Sequence, residues 1–205
     1  MFISRLDVVN RSLSTIGEAG LTDLQEDHAY RDLILDFLGD ETDRICARGW
    51  WFNQEYTHLL PDANSRYIYV PTDVYSVVTH ARGFSVTQMG RRMYNTRNRT
   101  YEWDRALPVR LTRKFPFEDS PFQAQVCIRD YTILKFQGRI DADRETKADI
   151  TREAAVAWEE LVRVDAQNQK HNLLYRRGME ENAYEAVSQS YGTGDIIGPN
   201  IINIR

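Results

Sequence analysis

Apolar residues recur along this chain with two different periods, and the change of period divides it. Near the start, Leu6, Val9, Leu13 and Ile16 follow at three- and four-residue steps, the spacing of one helical face, and Gly17 can close the helix in a left-handed conformation. This predicts a helix over about residues 4–16. A second helix over about 25–48 is predicted from Tyr30, Leu33, Phe37, Glu41 and Ile45, with Gly49 as its stop. Then the rhythm shortens. Tyr67-Ile68-Tyr69-Val70-Pro71 and Val74 to Val78 are rich in β-branched and aromatic residues, and Gly83, Gly90 and Asn/Thr clusters punctuate the stretch that follows. Residues 50–117 therefore read as antiparallel β hairpins.

Helical spacing returns at Ser120-Pro121, a residue pair suited to an N-cap followed by the first helical position. Phe122, Val126, Tyr131 and Leu134 continue it toward Gly138, so the third helix is expected over 121–137. Asp141 or Asp143 can cap a fourth over about 143–187, in which Ile150, Ala154, Trp158, Leu161 and Val164 lie opposite Arg152, Glu153, Glu159, Glu160 and Arg163. The fold class expected is α+β: mainly a helical bundle, an inserted antiparallel β-hairpin region, and an extended C-terminal arm. Residues 1–188 are expected to form one domain and 189–205 the arm.

Composition narrows the classes. A chain of 205 residues, 42% apolar and 27% charged, can build a globular core. No run of about 18 apolar residues occurs, and Met1-Phe2-Ile3-Ser4-Arg5 lacks the apolar stretch of a signal peptide, so neither membrane insertion nor secretion is expected. Cys46 and Cys127 fall among apolar neighbours in predicted helices and read as buried reduced thiols.

The net charge of −4 hides segregation. Residues 1–81 carry 6 basic and 13 acidic side chains, residues 82–114 carry 9 and 2, and residues 115–205 carry 11 and 15. The central segment thus faces an anionic partner or an acidic neighbouring subunit. Within it Arg91, Arg92, Arg97, Arg99 and Arg105 surround Tyr94, Tyr101 and Trp103. Guanidinium and aromatic groups so mixed suit a subunit or partner interface, stacking on nucleic-acid bases, or one solvated hairpin face.

Catalytic signatures are scarce. His28, His58, His80 and His171 are far apart, with no His-x-x-x-His or Cys-x-x-Cys pair for a metal, no phosphate-binding loop and no Gly-x-Ser-x-Gly elbow; neither a metal nor a cofactor is expected. Glu118-Asp119 and Glu159-Glu160 are the carboxylate pairs available to a glycan hydrolase, the alternative function, although a helix entrance and a solvated face explain them more economically.

The last stretch, from Gln189, joins glycines and a proline to Ile196, Ile197, Ile201, Ile202 and Ile204 before Arg205. It cannot be a helix, and it is too apolar for a solvated linker. Two fates are open: an arm that docks on another chain, for instance by adding a strand, or a segment folded back on its own bundle.

Two motifs carry a resemblance. Val9-Asn10-x-x-Leu13-x-x-Ile16-Gly17-Glu18 and Arg48-Gly49-Trp50-Trp51-Phe52-Asn53, followed by Leu60-Pro61-Asp62 and Tyr69-x-Pro71-x-Asp73, resemble the tail tubular protein A family, the head-to-tail adaptors of short-tailed phages. The match runs in order over roughly the first 75 residues. It implies a noncatalytic virion protein of the tail, assembled in the host cytoplasm as a ring of about twelve copies beneath the portal. The bundle and C-terminal arm, with Ile196, Ile197, Ile201, Ile202, Ile204 and Arg205, would meet the portal. The β portion would meet the nozzle, tail tubular protein B, and DNA would pass through the centre without sequence-specific binding. Arg48, Gly49, Trp50, Phe52 and Asn53 mark the helix-to-strand junction in that family, where the aromatic cluster would cement the β insertion to the bundle. If the strand begins there, Trp50 and Phe52 face one way.

Overall fold

The computed structural model describes residues 2–79, 85–140 and 144–174. The chain divides into two compact units, residues 1–163 and 164–205. The expected arm residues Ile196, Ile197, Ile201, Ile202, Ile204 and Arg205 lie outside the described residues, as do Asp141 and Asp143.

The first unit is a mixed α+β structure. Helix α1, Arg5–Ser14, starts where Ser4 accepts from the Asp7 amide while Asp7 accepts from the Ser4 amide, a reciprocal capping box. Of its expected stripe Val9 and Leu13 are buried and Leu6 and Ile16 half-buried, and Val8 is buried beside them. Asn10 then clamps the following loop, donating to the Leu21 carbonyl at 2.9 Å and accepting from the Leu21 amide at 2.7 Å.

Helix α2, Arg31–Cys46, begins later than its periodicity suggests. In the residues before it, Glu26 accepts from the Thr22 amide and Asp23 from the Gln25 amide, so side chains compete for the backbone groups a helix would use. Its buried face is Ile34, Leu38, Thr42, Ile45 and Cys46; the expected Leu33 and Phe37 flank that face, half-buried. Glu41, nominally polar, is buried and held by Arg44 at 2.6 Å and Lys135 at 3.5 Å.

Helix α3, Phe122–Ile140, departs most from its expected stripe. Phe122 is exposed and Val126, Tyr131 and Leu134 are half-buried, while Ala124, Cys127, Ile128, Ile133 and Phe136 are buried along with Gln125, Asp130, Thr132 and Gln137. The reason is position: α3 packs against α1 and α2, and its residues share a core with Ala157 and Leu161 of the last helix, so no single face is solvated. Gly138 lies inside the helix rather than ending it. Nor does Ser120 cap it: its hydroxyl donates backward to the Pro116 carbonyl at 2.9 Å. Helix α4, Arg144–Leu174, buries Ile150, Ala154, Ala157 and Leu161, close to its predicted stripe.

Among the described residues between α2 and α3 are five strands: β1 Gln54–Leu59, β2 Val74–Thr79, β3 Val86–Met89, β4 Arg92–Asn95 and β5 Leu107–Arg113. They are antiparallel as expected, but only β3 and β4 form a hairpin. The main sheet has the order β1-β5-β2, with Leu59 opposite Leu107 and Val77 opposite Leu111. Tyr67 to Val70 is no full strand; Tyr67 and Tyr69 make single bridges to Glu102 and Arg92. Ile68, Val70, Met93, Trp103, Leu107, Val109 and Leu111 close a second core in this β region.

The second unit is described only in the end of α4. There Asn168 donates to the Val164 carbonyl at 2.9 Å and Gln169 to Asp165 at 2.8 Å.

Candidate assembly surfaces

The segment after α2 is a knot of buried polar and aromatic contacts. Gly49 adopts φ +81°, and a Cβ there would stand 3.0 Å from Gln54 Nε2 and 3.1 Å from Thr112 Oγ1. That left-handed turn drops Trp50 into the core, where its indole donates to the Ile45 carbonyl at 2.8 Å and meets Trp158 edge-on at 5.4 Å. Phe52 meets Phe115 at 5.5 Å. The strand begins only at Gln54, so a turn, not strand alternation, sets where Trp50, Trp51 and Phe52 point.

Asn53 ties the knot. Buried, it accepts from the Trp50 amide at 2.8 Å and donates to the carbonyls of Cys46 at 2.8 Å and Arg113 at 3.0 Å, joining the end of α2 to the end of β5. Arg48 stays exposed, its guanidinium 4.9 Å from the Trp158 ring centre and 5.4 Å from that of Trp50. Arg44 lies over Tyr131 at 4.7 Å, completing a row of arginines on rings that the sequence did not reveal, because its members come from three helices.

The other motif residues also bear on architecture. Asp62 accepts from the amides of Asn64 and Ser65 and from the Ser65 hydroxyl, bonds that hold its carboxyl below the usual range. Asp73 pairs with Arg113 at 2.5 Å, and its carbonyl accepts from the Lys114 amide.

The arginine set is gathered in part. Arg91 sits in the β3–β4 turn and Arg92 opens β4, while Arg97 and Arg99 stand exposed in a turn whose Asn95 side chain accepts from the amides of Arg97 and Asn98. Arg92 rests over Tyr101 at 4.4 Å and Tyr67 at 5.6 Å. Tyr94 lies 4.9 Å from Tyr101, Tyr69 6.3 Å from Tyr67, and the Tyr101 hydroxyl donates to Met89 Sδ at 3.4 Å. Tyr69 and Met89 are about half exposed. Trp103, expected among them, is instead a core residue whose indole donates to the Met93 carbonyl at 3.0 Å. Arg105 is exposed farther along the chain. Sequence reasoning missed Tyr67, Tyr69 and Met89; the alternation of Tyr67 and Tyr69 with buried Ile68 and Val70 was the available signal.

Of the carboxylates that hydrolysis would use, Glu118 and Glu160 are both lowered. Burial pushes Glu118 up, but hydrogen bonds from Arg5 and the backbone, with the Arg5 charge, carry it below its ordinary value; Arg163 lowers Glu160 by hydrogen bonding. A glycosidase acid needs its pKa raised. Among the described residues, no three His, Cys, Asp or Glu side chains converge as metal ligands. A cleft of about 390 Å³ is lined by Leu35, Leu38, Tyr75, Phe115 and Phe117 with Arg5 and Lys114. There the Tyr75 hydroxyl donates to Asp43 at 2.5 Å, and burial pushes its phenol up, keeping it protonated.

Comparison with known proteins gives the family. Residues 6–194 match the family described as tail tubular protein. The tail tubular protein A of Klebsiella phage KP34 is 22% identical over 127 residues, 62% of this chain and 68% of that protein. No described helix is long and apolar enough to cross a membrane. With a family match over most of its length and motifs that build its junctions, the chain belongs to the tail tubular protein family, the structural proteins of phage tails.

Proposed function

We propose that this protein is a head-to-tail adaptor: a closed ring of about twelve copies that joins the portal to the tail nozzle and forms part of the channel through which DNA leaves. The observation that carries the reading is the family match over residues 6–194. The physical features support it. Head-to-tail contacts between identical subunits need two different surfaces, and this chain segregates its charge between a basic central segment and acidic flanks. The arginine-rich hairpin serves as a contact to a neighbouring subunit or to the nozzle. The arm residues Ile196, Ile197, Ile201, Ile202, Ile204 and Arg205 attach to the portal. Carboxylates of the bundle line the channel, where like charge repels the DNA phosphates and prevents sticking during ejection.

The test is electron microscopy of the protein mixed with the purified portal of the same phage, with native mass measurement of each alone. A multi-copy ring stacked on the portal is the expected result and gives the copy number. A monomer that ignores the portal refutes the adaptor role and leaves only the family fold.

A further inference from the structure

The outward face of α2 is acidic by construction. Asp32, Asp36, Asp40 and Asp43 are spaced four, four and three apart, which places all four within an arc of about 80° on a helix of 100° per residue. All four are exposed, and the arc lies opposite the buried Ile34, Leu38 and Ile45. Arg31 bonds Asp32 and Lys135 bonds Asp40, while the Asp43 carboxylate takes the Tyr75 hydroxyl. Among the described residues no ion pair holds Asp36, and the face keeps net negative charge.

The β hairpin presents the complementary case. Arg91, Arg92, Arg97 and Arg99 are exposed, and no described carboxylate forms an ion pair with any of them. Around Arg92 stand Tyr67, Tyr94, Tyr101 and the half-exposed Met89. Tyrosine, arginine and methionine are the residues enriched at protein interfaces, and tyrosine orders at low entropic cost. A guanidinium stacked flat on a ring still directs its N–H edge outward, the geometry that grips a carboxylate.

We propose that the tyrosine–arginine face of the β hairpin docks on the acidic face of α2 in a second copy of this chain. This rests on the ring-forming reading and gives it a specific heterologous contact: each copy offers its hairpin to one neighbour and its α2 face to the other. Two different surfaces joined this way propagate in one direction and close when the rotation permits. The stacked Arg92 fixes the register, and the flanking Arg91 and Arg97 supply long-range attraction, so assembly slows and weakens as salt rises.

The experiment is a charge swap in the full chain. Arg91→Glu with Arg97→Glu reverses one face, Asp32→Lys with Asp36→Lys the other, and circular dichroism melts confirm that both variants fold. Ring formation, alone and on the portal, is followed by native mass measurement across a concentration series. Each variant alone should need at least about tenfold more protein to assemble than the unaltered chain. The two mixed should assemble near the unaltered concentration, because each reversed face then meets its opposite. If the unaltered chain forms rings and both variants form them equally well, the contact is wrong while the adaptor reading stands. If the hairpin reversal weakens only nozzle or DNA binding, the contact is overturned in favour of that partner. If the unaltered chain forms no ring even on the portal, the adaptor reading itself fails.

Discussion

Asn53 offers the sharpest test of how this fold is held. Replacing it with alanine removes three side-chain hydrogen bonds at 2.8, 2.8 and 3.0 Å; it strands the Trp50 amide and the Arg113 carbonyl in a buried site, while the Cys46 carbonyl keeps only the Gly49 amide at 3.1 Å. Each stranded group costs about 1–3 kcal/mol. Water entering the small void can recover part of that for the carbonyls, so about 3 kcal/mol is the expected loss, against a total of roughly 10 kcal/mol for a domain of this size. The variant should therefore fold but unfold at distinctly lower urea, read by tryptophan fluorescence with an unchanged slope. Asn53→Asp should be worse at neutral pH, because a carboxylate would face two carbonyl oxygens. Its folded pKa would be raised, so the penalty should shrink as pH falls and the acid protonates, and grow as pH rises through that folded value. A loss below about 1 kcal/mol for the alanine variant, or an aspartate variant no worse than it and indifferent to pH, would refute the view of Asn53 as the tie between α2 and β5.

Further outcomes follow from other contacts of the fold. Gly49→Ala should cost more than Gly17→Ala in parallel urea titrations: both glycines have positive φ, but only at Gly49 would the new Cβ crowd Gln54 and Thr112, so about 2 against about 1 kcal/mol is expected. Burial pushes the Cys46 thiol to about 11 and the Cys127 thiol to about 12, so maleimide should label neither in the folded protein and both in urea. Since these folded values exceed the unfolded one near 9, stability should hold below pH 9 and fall as pH climbs toward 11–12, and the paired alanine variants should flatten that decline. Gln125→Ala should free the N-terminus, because the Gln125 side-chain Oε1 accepts from the Ile3 amide at 2.9 Å while its Nε2 donates to the Phe117 and Glu118 carbonyls; amide exchange at Ile3 should accelerate with about 2 kcal/mol lost overall.

The legible parts of the fold were those whose physics is local. Helix α1 was readable because its apolar steps and its glycine stop all lie within one short stretch. The stripe of α4 was readable for the same reason, since one face meets the core and the other water. Helix α3 misled because it is surrounded, and a helix packed on several sides loses the contrast that periodicity detects. The strands of the main sheet were recognisable as strands, but the pairing of β1 and β2 with β5 is a long-range choice that no hairpin signal encodes. At the surfaces, arginine spacing suggested a cluster, yet which aromatic rings join it depended on Tyr67 and Tyr69 arriving from a neighbouring segment and on Trp103 turning inward.

The central place of β5 sets a timetable for folding. Leu59 waits for Leu107 and Thr79 for Val109, so neither flank of the sheet can pair until the ribosome has released the chain beyond residue 113. Until then two strands stand without a partner, and closing the loop carries an entropic cost that rises only slowly with its length. Once β5 is seated, everything between β2 and β5 is an excursion with both ends fastened to the same strand. The exposed turns it contains can lengthen or shorten, while Met93 and Trp103 stay committed to the core they share with Leu107, Val109 and Leu111.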